Sequence, residues 1–78
     1  MPPREGRKLA ELVTFGDHIR RLRLSREWTQ ERLASEAELN SVQVSHIENG
    51  LNEVKLRTIL KLARAFGITA SELMRPFR

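Results

Sequence analysis

The stretch TQERLASEAELNSVQVSHIENG, Thr29 to Gly50, constrains this chain more than any other part of it. Leu33, Ala34 and Ala37 recur at helical spacing and make one face of a short helix. Val44 and Ile47 lie one helical turn apart and make the inner face of a second. Leu39 falls between them, where a turn needs an apolar anchor, and Ala34 is small enough for a close helix crossing. The rest of the second helix is Ser41, Val42, Gln43, Ser45, His46 and Asn49, short and polar, with Glu48 its only acid. Such a face suits hydrogen bonding to base edges and phosphates.

The chain around this unit is small. At 78 residues it makes one domain, near the size at which only about 60% of the unfolded surface is buried and a dimer would help. Helix formers dominate and strand-like alternation is absent, so the expected class is all-α. There is no cysteine, which excludes disulfides and Cys-ligated zinc. His18 and His46 have no metal-ligand spacing, so no metal is expected. No apolar run approaches the roughly 18 residues of a membrane span, and the N-terminus lacks a signal-peptide core. The expectation is a cytoplasmic protein with no membrane partner. Carboxylate pairs, Ser/His or Cys/His constellations and glycine-rich phosphate loops are missing, so neither an enzyme nor a cofactor is expected.

Net charge is +4 and the sequence pI is about 10.7, but the distribution says more. Residues 1–27 hold seven Arg/Lys against four acids, and residues 55–78 hold six against Glu72. Residues 28–54 hold Arg32 alone against five acids. The basic groups therefore flank the two-helix unit. That arrangement lets cations lie along phosphates while a less basic helix enters a groove.

Taken in order, residues 1–13 read as a flexible basic arm, since Pro2 and Pro3 block helix and Arg4, Arg7 and Lys8 cluster. Thr14, with Asp17 three residues on, marks a helix start at Phe15, which Leu9, Leu12 and Val13 can extend backwards. Phe15, Ile19 and Leu22 of this helix face the core, and Trp28 reads as a lid on it. Thr29 caps a second helix to about Ala37, and Asn40 with Gln43 forms a reciprocal cap for the third. Gly50 ends the third helix in a left-handed conformation. A fourth helix, about Lys55 to Phe66, offers Leu56, Ile59, Leu60, Ala63 and Phe66 to the core. Gly67 stops it, Thr69 and Glu72 box a last short helix through Met74, and Pro76 prevents extension.

The ordered set Thr29-Gln30, Leu33-Ala34, Val44-Ser45 and Ile47-Glu48-Asn49-Gly50 resembles the helix-turn-helix of the Cro/cI-type phage repressors, the XRE family. Leu56, Ile59 and Leu60 ahead of Ala63, then Phe66-Gly67-Ile68 and Glu72-Leu73, continue the likeness, which runs from about Phe15 to Met74. It implies a compact five-helix, lambda-repressor-like DNA-binding domain over residues 14–78, with the helix-turn-helix at 29–50. The chain departs from the family pattern at Glu38, where glycine is usual, and at Val54, where a proline usually precedes the fourth helix. A glutamate held at φ > 0 carries roughly 1 kcal/mol of strain.

The resemblance also implies roles. By position Ser41, Val42 and His46 match base-contacting sites; Val42 suits a thymine methyl and His46 can donate to a guanine. Gln43 looks like a phosphate contact that reads a base where it leaves its cap. Gln30, Ser45, Asn49, Asn52, Lys55 and Arg57 are the phosphate candidates, Gln30 because a helix N-terminus attracts anions. Arg23 pairs with Glu48 as a structural ion pair. Leu73, Met74 and Phe77 form a dimer seam. The implied function is that of a transcriptional regulator, such as a small phage repressor or a restriction–modification controller. It binds double-stranded DNA as a homodimer on a near-palindromic operator, helix 41–49 in the major groove. No small-molecule ligand is expected, so occupancy would follow protein concentration. The alternative is an antitoxin-like or adaptor module that docks another protein, which the acidic bias of residues 28–54 supports.

Overall fold

The computed structural model describes residues 9–77. Among them the regular structure is helical throughout: α1 (Ala10–Ser25), α2 (Gln30–Ala37), α3 (Ser41–Glu48), α4 (Leu56–Phe66) and α5 (Ala70–Leu73), then a 3₁₀ turn at Arg75–Phe77. The chain is all-α, as expected. The first part of the expected basic arm, residues 1–8, lies outside the described residues.

The first helix starts earlier than Thr14 suggests. Leu9 is its N-cap residue and makes no side-chain cap bond, while Leu12 and Val13 donate backbone N–H to the Leu9 carbonyl at 3.0 and 3.1 Å. Thr14 is thus inside the helix and caps nothing. The reason is tertiary. Gly50, at φ +66°, lies directly against this first turn, where a Cβ on it would sit 3.0 Å from Val13 Cα. The loop that follows α3 thereby braces residues whose own sequence gives a weak start signal.

The other boundaries follow local chemistry. Thr29 Oγ1 accepts from the Arg32 N–H at 3.0 Å, starting α2. Asn40 Oδ1 accepts from Gln43 N–H at 2.8 Å, and Gln43 Oε1 accepts from Asn40 N–H at 3.0 Å, a complete capping box for α3. Gly67 ends α4 at φ 69°, and Thr69 Oγ1 accepts from Glu72 N–H at 3.0 Å to start α5. Met74 is the C-cap of α5 instead of its last residue. Two non-glycine residues take the left-handed conformation, Glu38 at φ 57° in the α2–α3 turn and Glu27 at φ 58° before α2.

The core consists of Phe15 and Ile19 from α1, Leu33, Ala34 and Ala37 from α2, Val44 and Ile47 from α3, Leu62, Ala63 and Phe66 from α4, and Leu73 from α5. Leu22, Leu39 and Ile59 pack against it, half-buried. Trp28 acts as the expected lid: it stacks on Phe66 at 5.8 Å between ring centroids, 12° from parallel. The Arg26 guanidinium covers the Phe66 ring at 4.8 Å and donates to the Phe66 carbonyl at 2.6 Å.

The structure corrects the expected face of α4. Leu56 is 70% exposed and Leu60 47% exposed, whereas Leu62 is fully buried. Apolar residues cover more of this helix than the core can contact, and the buried stripe is Ile59–Leu62–Ala63–Phe66. Leu73 is corrected as well. It has 0% exposure and belongs to the monomer core, so it has no surface to give a partner. Met74 is half-buried and Phe77 is 42% exposed. With Leu12, Phe15, Val54 and Ile59 they line a shallow, mainly apolar groove of about 160 Å³.

Candidate nucleic-acid interface

The interface is built on a buried ionic hub. Arg23, near the end of α1, points its fork at Glu48, the last residue of α3. Its Nε donates to Glu48 Oε2 at 2.6 Å and its Nη2 to Oε1 at 3.1 Å. Its Nη1 donates to the Trp28 carbonyl at 2.7 Å. Gln30, the first residue of α2, donates from Nε2 to the same Glu48 Oε1 at 3.1 Å. Both charged side chains are buried, which makes the pairing obligatory, since an unpaired charge there would cost several kcal/mol. The hub fixes the end of α1, the start of α2 and the end of α3 relative to one another.

With its C-terminal end held in this way and its N-terminal end capped by Asn40, α3 buries Val44 and Ile47 and presents its other side outward. Val42 is 60% exposed and Gln43 is exposed, while Ser41, Ser45 and His46 are half-buried. The Gln43 oxygen is engaged in its cap, leaving its amide group to meet a ligand. His46 Nδ1 lies 3.3 Å from Asn52 Nδ2. An Asn49 amide proton goes to the Ser45 carbonyl at 2.8 Å. The four residues expected to meet bases therefore share one helix.

Around α3 stand the other expected contacts. Gln30 is half-buried, with its amide turned to Glu48, and is as much a part of the hub as of the surface. Asn49, Asn52, Lys55 and Arg57 are exposed. Arg20, Arg23, Gln30, Glu48 and Asn49 enclose a polar cleft of about 220 Å³. Because Glu48 is neutralised by Arg23, exposed Arg20 leaves this cleft with positive character. Arg20, which the spacing of α1 puts on its outer side, was not among the expected contacts; its place one turn before Arg23 was the available signal. Gly16 escaped the sequence reading. A glycine in the middle of an amphipathic helix marks a close approach, and here it lets α1 lie on the backbone of α3.

His18, on α1, lies near Arg75 and the Leu73 backbone of the C-terminal segment. Burial lowers its pKa, helped by nearby Arg75 and Arg21; Asp17 and the Leu73 carbonyl oppose this. Among the described residues no group of His, Asp and Glu could hold a metal ion, and no helix is long and apolar enough to cross a membrane.

Comparison with known proteins identifies this arrangement. Residues 19–73 match the helix-turn-helix family. Control protein C.BamHI from Bacillus amyloliquefaciens is 38% identical over 63 residues, covering 80% of this chain and 78% of its own. Control protein C.MunI from a Mycoplasma species is 36% identical over 62 residues, covering 78% of this chain and 84% of its own. The crystal structure of the restriction–modification controller protein C.AhdI from Aeromonas hydrophila superposes with a TM-score of 0.80 at 42% identity. It covers 83% of this chain and 98% of that one. This family is one of DNA-binding regulators and not of enzymes. From the two-helix unit, the Arg23–Glu48 hub beneath it and these likenesses, the chain belongs to the XRE-type helix-turn-helix family of DNA-binding transcriptional regulators.

Proposed function

We propose that the chain is a cytoplasmic regulator of the controller type, binding a near-palindromic operator as a homodimer and carrying out no catalytic step. One observation carries this reading: the Arg23–Glu48–Gln30 hub anchors α3 so that Ser41, Val42, Gln43 and His46 face outward together. In the major groove Val42 meets a thymine methyl, while Ser41, Gln43 and His46 bond base edges. Ser45, Asn49, Asn52, Lys55 and Arg57, with Gln30 at the start of α2, contact phosphates, and Arg20 joins them from α1. This set contains no base-reading arginine, so discrimination is modest, nearer 1 than 3 kcal/mol per contact.

Twofold symmetry places two copies of α3 in successive major grooves, roughly 34 Å apart. The seam is formed by half-buried Met74 and exposed Phe77, which line the apolar groove.

A gel-shift titration on a selected operator and on unrelated DNA, at about 50 and 150 mM salt, tests the reading. Specific binding that survives the higher salt supports it. Binding that ignores sequence and vanishes over that range contradicts it and returns the protein-docking alternative.

A further inference from the structure

The loop after α3 folds back on the helix it leaves. Gly50 takes φ +66°. Its N–H donates to the Ile47 carbonyl at 3.1 Å, and the Leu51 N–H donates to the His46 carbonyl at 3.0 Å. This turn brings exposed Asn52 beside the His46 ring, where Asn52 Nδ2 donates to His46 Nδ1 at 3.3 Å. Both residues line an open cleft of about 170 Å³ with Gln43, Glu53, Lys55 and Thr58.

The chemistry of the pair has a direction. A neutral imidazole has one N–H and one lone-pair nitrogen, and an amide NH₂ only donates. The nitrogen that receives it, Nδ1, must be the lone-pair one, and the ring proton sits on Nε2. The Nε2–H is then the one hydrogen the ring has to donate. In the major groove guanine offers two acceptors, N7 and O6, and no donor; thymine offers one, O4; adenine offers N7 beside an amino donor; and cytosine presents an N4 amino donor. A ring turned the other way, with Nδ1–H bonded and Nε2 bare, would favour the amino groups of cytosine or adenine. The partner of Nδ1 therefore selects the base class that His46 reads.

We propose that Asn52 is a positioning residue for base recognition: by donating to His46 Nδ1 it holds His46 as a hydrogen-bond donor toward a guanine edge. This rests on the reading of α3 as the DNA-contacting helix, and it reassigns Asn52 from phosphate contact to specificity. The loop is then part of the reading apparatus.

The test uses the full chain, DNA sites varied one base at a time, and pH 8.5. His46→Ala first identifies the position that His46 reads. There the native protein prefers guanine roughly tenfold. Asn52→Ala reduces that preference to within about threefold and leaves the other positions unchanged. Asn52→Asp, whose carboxylate only accepts, draws the ring proton to Nδ1 and turns the preference toward cytosine or adenine, whatever it does to overall affinity. Nitrogen NMR of the His46 ring provides a readout without DNA: the proton is on Nε2 in the native chain and on Nδ1 in Asn52→Asp. If His46→Ala changes one position but Asn52→Ala weakens all sequences alike and flattens the salt dependence, the proposal is overturned and Asn52 is a phosphate contact. A native ring protonated at Nδ1 also overturns it. If His46→Ala changes no position, α3 does not read DNA as proposed, and the role of Asn52 falls with it.

Discussion

Gly16 in α1 and Ile47 in α3 meet backbone to backbone. A Cβ on Gly16 would collide with the Ile47 carbonyl oxygen and lie 2.8 Å from that of Glu48. Two effects oppose each other at this site. Glycine inside a helix is about 1 kcal/mol less favourable than alanine, but forcing a methyl into a filled contact costs about 1–3 kcal/mol. Here the obstacle is backbone, which cannot swing aside, so crowding wins. Gly16→Ala is expected to destabilise the fold by about 1–2 kcal/mol in urea unfolding and to weaken DNA binding by tilting α3. An equal or higher stability would mean the helices are further apart than described.

Removing one partner from the Arg23–Glu48 pair strands a buried charge. Glu48→Ala should cost about 3–5 kcal/mol, a large share of the stability of so small a domain. The double change Arg23→Met, Glu48→Leu strands no charge and should cost less than either single removal. Chemical denaturation of the set checks this. A loss under 1 kcal/mol for Glu48→Ala would indicate a solvated pair.

Glu38 ends α2 in the left-handed region, at φ 57° and ψ 42°. Glycine adopts that conformation without a Cβ penalty, so Glu38→Gly should stabilise by about 1 kcal/mol. That corresponds to about 4–8 °C in Tm for a domain of this size. A lowered Tm would show that the Glu38 side chain holds the turn by some other means.

These sites also show what could be read from the chain alone. The caps at Thr29, Asn40 and Thr69 were legible because donor and acceptor are three residues apart, and the Glu38 turn because the family pattern places a glycine there. The start of α1 was only half legible: Leu9, Leu12 and Val13 allowed the backward extension that is found, but Thr14 offered the stronger cap signal, and the brace at Gly50 is remote in sequence. On α4 the spacing of leucines allowed two stripes, and only contact with α2 and α5 chooses Leu62 over Leu56 and Leu60. Glu27 carries no turn signal of its own; it is held left-handed between the Arg23 hub and the stacked Trp28. At the interface, the outward residues of α3 were legible from its short inner face, but Asn52 beside His46 depends on how the loop returns.

His18 makes stability depend on pH. Its folded-state pKa is lowered below the ordinary 6.5, first by burial and then by Arg75 and Arg21. Its Nε2 is buried without a hydrogen-bond partner among the described residues. A histidine with a depressed folded pKa binds protons more readily when unfolded, so its contribution is complete above pH 6.5 and is lost as pH falls through the folded value. Urea unfolding should show stability falling as the pH drops below about 6.5, and His18→Gln should flatten that slope. An unchanged slope would mean the ring is solvated.

The central claim is that the outer face of α3 reads sequence while the residues beside it hold the backbone. Selection of bound sites from a random DNA pool measures this most directly, comparing the native chain with Ser41→Ala, His46→Ala, Lys55→Ala and Arg57→Ala. The first two should change which bases are preferred at particular positions, and the last two should leave the preferred site intact while weakening all binding and reducing its salt dependence. Identical preferred sites from the native chain, Ser41→Ala and His46→Ala would contradict the account.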